Sequence, residues 1–355
     1  MDIDEIAGML NSRAASLAAE LLPRGSRQGH EWVEANTASG GLGDSLKMCV
    51  SGAKSGIWSH WAAGRKGDAL DLVAYIRFAD NKKEAVAWAK SWLGLDNLDP
   101  GRLQERRKEV AADARRREAE GRKAVQKKQK MARNIWMAAQ PVTGTPVVDY
   151  LAGRGIDISD LAKAPGALRF APECRAYENG QVTQHPAMLA AIVDGEGRHI
   201  ATHRTYLQFM PDGRVVKAGL EDPKKVLAPY RGGVIPLSRG ASGKSLKDAP
   251  DGDRLILCEG IEDGLSLALC CPDYRVHAAV SIGNFQNITL PPAIRTITIA
   301  ADNDGDNEAA EKGLNAAIER FYDEGRQVFV ARSPVGKDFN DFLQGDTPLV
   351  VKEAN

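Results

Sequence analysis

Leu255-Ile256-Leu257-Cys258-Glu259-Gly260 and Ile297-Thr298-Ile299-Ala300-Ala301-Asp302-Asn303-Asp304-Gly305-Asp306 decide how this chain folds. Each is a short apolar run that ends in acid. Runs of this length, rich in Ile and Leu, read as strands buried on both faces of a parallel sheet. Open α/β sheets bind their ligands at the carboxyl ends of such strands, where Glu259, Asp302 and Asp304 fall. The 43 residues from Glu259 to Asp302 leave room for a helix, a strand and a loop, so both acids can end neighbouring strands of one sheet. Asp302 and Asp304 need a turn to face one ion, and Gly305 supplies the backbone freedom for it. Hard divalent cations take oxygen ligands and keep several waters, so a few carboxylates suffice. The pair therefore points to metal-dependent phosphoryl transfer.

Outward from these strands the rhythm is strand (255–258), helix (263–271), strand (277–281), strand (296–300), helix (308–324) and strand (327–331). That alternation implies a parallel sheet flanked by helices. Upstream, 187–193 and 199–207 alternate around a Gly-containing turn and read as a hairpin. Pro146 to Gly153 reads as a short helix. Residues 102–137 are almost wholly Lys, Arg, Glu, Ala and Gln, which reads as an exposed helical linker. Near the N-terminus, one helix is expected over 4–22, then short strands at 31–33, 45–50 and 56–59, then helices at 69–78 and 82–93. The whole is a multidomain α+β and α/β chain: a small N-terminal α+β module (1–98), a basic linker (99–140), a basic α+β subdomain (141–250) and a parallel-sheet domain (251–347).

Composition narrows the class. Of 355 residues, 43% are hydrophobic and 26% charged, the profile of a globular chain. No run approaches the roughly 18 apolar residues that span a bilayer, and the acidic start Met1-Asp2-Ile3-Asp4-Glu5 is the reverse of a secretory leader, so a cytoplasmic protein without membrane partners is expected. Five cysteines with no CxxC pair argue against a disulfide framework and a cysteine-rich zinc site. Net charge is zero, yet 102–133 holds thirteen Lys/Arg against five Asp/Glu, about +8, which leaves the rest about −8. Such asymmetry is a footprint for nucleic acid.

Three motifs in order carry a family resemblance: Cys258-Glu259-Gly260-Ile261-Glu262-Asp263-Gly264, Asp302-Asn303-Asp304-Gly305, and Gly336-Lys337-Asp338-Phe339-Asn340-Asp341. Together they resemble the Toprim domain, in the version found in primase-like proteins of phages and mobile elements. The resemblance implies that Glu259, Asp302 and Asp304 are catalytic. It also implies that Mg²⁺ or Mn²⁺ is held by these together with Asp263, Asp338 and Asp341. Tyr150-Leu151-Ala152-Gly153-Arg154-Gly155-Ile156, His203-Arg204-Thr205-Tyr206-Leu207 and Lys217 through Lys225 resemble the basic subdomain preceding Toprim in such primases. There Arg204, Lys217 and Lys225 are the candidates for template and nucleotide binding, joined by Lys337 of the third Toprim motif. Single-stranded DNA, NTPs and a separate replicative helicase are the implied partners. A Toprim nuclease using the same acids is the alternative, and a decayed nucleic-acid-binding module the third reading.

The N-terminal module resembles the zinc-binding domain of bacterial primases through Gly56-Ile57-Trp58-Ser59-His60-Trp61 and Gly67-Asp68-Ala69-Leu70-Asp71. Only His30, Cys49 and His60 lie nearby, in no recognised zinc spacing, so no zinc is expected and Trp32, Trp58 and Trp61 are read as core. Two near misses fall away. Gly243-Lys244-Ser245 lacks the leading Gly of a P-loop, and the segment from Asp302 lacks the Gly and Glu of an EF-hand loop.

Overall fold

The computed structural model describes residues 2–34, 46–95, 100–303, 305, 307–345 and 351–353. The chain divides into two compact units, 1–124 and 125–355.

In the first unit, α1 (Ile3–Ser12) starts on a capping box in which Asp2 and Glu5 exchange hydrogen bonds. The helix expected over 4–22 is interrupted at Arg13, and α2 (Ala14–Leu21) follows. The break carries no Gly or Pro to announce it. It keeps Met9, Leu10, Leu17 and Leu21 all in the core. β1 (Ser26–Gln28), β2 (Glu31–Glu34), β3 (Leu46–Cys49), β4 (Trp58–His60) and β5 (Arg65–Gly67) form an antiparallel sheet in sequence order. Asp68 and Asn81 cap α3 (Ala69–Arg77) and α4 (Lys82–Trp92). Met48 and Trp58 pack against Leu72 and Ala89, and Trp58 stacks on Tyr75 at 5.0 Å. Trp32 is half-buried with its indole N–H on the Leu22 carbonyl. Trp61 departs from the sequence reading. It lies in a single turn between β4 and β5 and is 79% exposed. His30 bonds Ser51, and His60 bonds the Tyr75 hydroxyl.

The charged segment is one helix, α5 (Pro100–Ala138). Its first part belongs to the first unit, where Arg107 pairs with Glu5 and Arg117 donates to the Asn11 carbonyl.

The second unit takes up the end of α5, then β6 (Gln140–Pro141), α6 (Pro146–Ala152) and a long antiparallel sheet. β7 (Leu168–Glu178), β8 (Gln181–Val193) and β9 (His199–Phe209) form its body, with β10 (Val215–Lys217) and β11 (Lys224–Leu227) both pairing with β9. The hairpin expected at 187–207 is the β8–β9 pair. β7 was not readable in sequence, because Pro172 sits in it at a bulge between Ala171 and Cys174. One face of this sheet is pinned to α5: the Thr202 hydroxyl and the Trp136 indole N–H donate to the carbonyls of Ala132 and Ala167.

The last sheet holds β12 (Ile235–Arg239), β13 (Arg254–Cys258), β14 (Arg275–Ala278), β15 (Thr296–Ala301), β16 (Gln327–Arg332) and β17 (Val351–Glu353). The spatial order is β12-β14-β13-β15-β16-β17. The middle four are parallel, and β12 and β17 are antiparallel edges. α7 (Ile261–Cys270), α8 (Ile282–Phe285), α9 (Glu308–Asp323) and α10 (Phe339–Leu343) complete it. Alternation sorts the faces: Leu255, Leu257, Ile297 and Ile299 join Phe321 of α9, whereas Ile256, Cys258 and Ala300 join Leu265 of α7. From β13 the chain crosses to one side for β14 and then to the other for β15. The gap between β13 and β15 is therefore the switch point, the ligand crevice of an open sheet.

Candidate functional site

Glu259 follows β13 and Asp302 follows β15, the two strands that flank the switch point. Cys258 and Ala300 are direct partners, which fixes the two acids side by side at the strand ends. Glu259 is oriented from the neighbouring turn, where the Ile282 amide donates to its Oε2 at 3.0 Å. That turn is strained. Val280 has φ +73°, a left-handed backbone that a β-branched residue rarely adopts, and its amide donates to the Glu259 carbonyl.

Asp263 enters from the first turn of α7, is buried, and accepts the Asn340 amide at 3.3 Å. Gly260 makes room for it, because a Cβ there would run into Asp263 Oδ2. Burial pushes the Asp263 carboxyl up to about 7, and the charges of Asp338, Asp302 and Glu262 push the same way.

The third motif is tied to the second by Asn303. Its amide N–H donates to the Lys337 carbonyl, and its side chain to those of Ser333 and Gly336. Asp338 caps α10 by accepting the Asp341 amide, and Asp341 accepts the Lys337 amide at 2.8 Å. Of the two late acids, Asp338 is the one whose charge reaches Asp263, while Asp341 closes its own loop. Asp304 and Asp306 lie outside the described residues. Among the described residues, no three His, Cys, Asp or Glu side chains close on one metal-holding point. The donor set still fits a hard divalent ion. Asp263, Asp302 and Asp338 are oxygen donors, and the charges of the last two act on Asp263, a repulsion that a cation relieves.

Facing α7 is the basic sheet. Lys217 pairs with Leu207 and Lys224 with Thr205, so both lie on the face shared with His203. Both reach Glu262: Lys217 Nζ at 3.1 Å and Lys224 Nζ at 3.2 Å. The Tyr150 hydroxyl donates to the same carboxylate at 2.6 Å. Burial works to raise Glu262, but Lys224, Lys217 and Tyr150 outweigh it and hold the carboxyl well below the usual range. Burial and the Glu262 charge push the Tyr150 hydroxyl up, so it remains a donor.

Arg204 and Lys225 are partners of each other on the opposite face of this sheet. Arg204 donates to the Arg175 carbonyl and Lys225 to that of Tyr177. The structure thus brings Lys217 towards the acids and leaves Arg204 and Lys225 behind the sheet. Sequence reasoning missed Lys224, Glu262 and Tyr150. Glu262 carried a signal, as an acid beside Ile261 and Leu265 in an otherwise apolar turn. The choice between Lys224 and Lys225 depended on register.

Residues 254–348 match the family model described as the Toprim domain. This segment is a Toprim domain. Residues 126–237, which end before it, match a model described only as a domain of unknown function, DUF7146. No curated protein matches the sequence. Among solved structures, the Aquifex aeolicus primase (zinc-binding and RNA polymerase domains) is similar at 16% identity. That match covers 98% of this chain and 83% of that one, with TM-score 0.39. The catalytic domain of DnaG primase bound to single-stranded DNA is similar at 17% identity over 65% and 79% of the two chains, TM-score 0.43. The primase fragment of the bacteriophage T7 primase-helicase is similar at 15% identity over 88% and 93%, TM-score 0.36. In the Toprim domain, Glu259 and Asp302 occupy the crevice ends of the central strands, and Asp263 joins them from α7.

Proposed function

We propose that this chain is a Toprim primase of mobile-element type, making short RNA primers from NTPs on single-stranded DNA. The observation that carries the reading is the Toprim domain's acidic crevice lying across α7 from a pair of lysines on a separate basic sheet. Glu259, Asp263, Asp302 and Asp338, with Asp304, would hold Mg²⁺ or Mn²⁺. When bound, the ion would neutralise phosphate charge and align the attacking and leaving oxygens.

The remaining work falls to the chain. Glu259, oriented by the Ile282 amide, takes the proton of the primer 3′ hydroxyl as that oxygen attacks the α-phosphorus. Lys217 and Lys224 bind the phosphates that leave as pyrophosphate. A replicative helicase is the partner that goes with this activity.

The test is synthesis on a single-stranded template with labelled NTPs and Mg²⁺. The wild type should extend primers, and Glu259→Gln should lower the rate at least about 100-fold, the scale of removing a positioned acid or base. Cleavage of the template in place of synthesis would assign the same acids to a nuclease. No product from the wild type would sink the primase reading, and full synthesis by Glu259→Gln would remove Glu259 from the catalytic set.

A further inference from the structure

One side chain joins the basic sheet to the acid-bearing helix. Glu262 and Asp263 are adjacent in the first turn of α7, and successive helical residues point about 100° apart. Asp263 turns towards Asn340 and the acids, whereas Glu262 turns to the sheet. Each Glu262 oxygen takes a different lysine, Oε1 the Lys217 ammonium and Oε2 that of Lys224, and Tyr150 adds its O–H to Oε1. The Glu262 side chain is 4% exposed, but those of Lys217 and Lys224 are 29% and 39% exposed. The two lysine side chains are therefore gripped from inside by Glu262 and keep part of their surface open to solvent. An ammonium has three donors, and Glu262 occupies one on each.

Two cations on strands that both pair with β9 would repel and swing apart without an anion between them. A carboxylate buried with one oxygen for each holds them together and still leaves the trio a net positive charge. This is the arrangement a polyphosphate needs on arrival, because groups already ordered lose less freedom on binding.

We propose that Glu262 is a positioning residue: it holds the Lys217 and Lys224 ammoniums as a preformed pair that receives the triphosphate of the incoming nucleotide, with Tyr150 fixing the carboxylate. The proposal rests on the nucleotidyl-transfer reading above. Glu262 itself touches no substrate.

The experiment is a double-mutant cycle in the full-length protein, with Mg·ATP binding measured by calorimetry at low salt. Glu262→Gln keeps the volume and the acceptor for Tyr150. It should weaken Mg·ATP about tenfold, the size of one charge-assisted contact. In a Lys217→Met/Lys224→Met background the same change should do nothing further, because there is no pair left to position. In primer synthesis the loss should appear in KM for NTP rather than in kcat. An equal loss in both backgrounds would make Glu262 a structural residue only, and unchanged affinity in folded Glu262→Gln would overturn the proposal outright. Should Glu262→Gln not fold, Tyr150→Phe takes its place in the cycle, with a smaller loss of about threefold expected and the same rule of judgement. Wild type that shows the coupled loss but makes no primer refutes the polymerase reading and keeps the lysine pair. Wild type that makes primer while Glu262→Gln binds Mg·ATP normally does the reverse. Absence of any Mg·ATP affinity in the wild type refutes the pair.

Discussion

At the scale of the residue, Asp263 shows what the fold gives up for its site. Its folded carboxyl is raised from an ordinary value near 3.8 to about 7. The stability it contributes is therefore full below about pH 4 and is lost as pH rises towards 7. Asp263→Asn, measured in EDTA, should raise Tm by a few degrees at pH 7.5, and the gain should shrink to nothing near pH 4. An equal gain at both pH values would show that ionisation of Asp263 is not what strains the turn. A buried histidine runs the other way. His277 is almost fully enclosed, both ring nitrogens lack a partner, and burial lowers it to about 3. His277→Leu removes two unsatisfied atoms at similar volume, so it should raise stability, and by more at pH 5 than at pH 7.5. Glu259 and Asp302 stood out in the sequence because each follows a strand buried on both faces, a pattern visible without partners, whereas Asp263 and Asp338 were reached only through the family resemblance. Glu262 was not, because its value lies in lysines 38 and 45 residues away in sequence.

At the scale of the element, strand parity decides what a charge can do. Lys224 and Lys225 are indistinguishable by composition, yet one touches Glu262 and the other the Tyr177 carbonyl. Lys224→Ala should weaken Mg·ATP by about tenfold, while Lys225→Ala should lose much less. The same titration decides it, and equal losses would show that β11 does not hold this register in solution. Which lysine faces inward follows from the pairing of β11 with β9, and that pairing is a tertiary fact. Trp61 was misread as core for a related reason, since a tryptophan beside buried Trp58 lands outside once the chain turns between β4 and β5. The end of α5 depends on Trp136, whose indole N–H bonds the Ala167 carbonyl and whose ring lies 4.0 Å beneath the Arg169 guanidinium. Trp136→Ala should destabilise the second unit by about 2–3 kcal/mol in urea unfolding. A change within experimental error would mean that α5 docks without it.

At the scale of the whole molecule, two sheets built on different rules meet at α7. The parallel core of the Toprim domain was legible, whereas its antiparallel edges β12 and β17 were not. Edge strands lack the double-sided apolar pattern that gives central ones away. His203 and His277 are both held neutral by burial, lowered to about 4 and about 3. Their part of the stability is present above pH 6.5 and lost as pH falls towards 4. The urea midpoint of the second unit should accordingly be lower at pH 5 than at pH 7.5, and His277→Leu should narrow the difference. The uneven placement of charge reaches further, into how the protein behaves on a column. With 47 acidic and 47 basic side chains, the chain should focus near pH 7. Lys127, Lys128, Lys130 and Arg133 nevertheless stand exposed on the last turns of α5. A neutral protein carrying such a stripe should be retained on heparin resin at its own isoelectric point and released by moderate salt, a purification handle that a titration curve would never suggest.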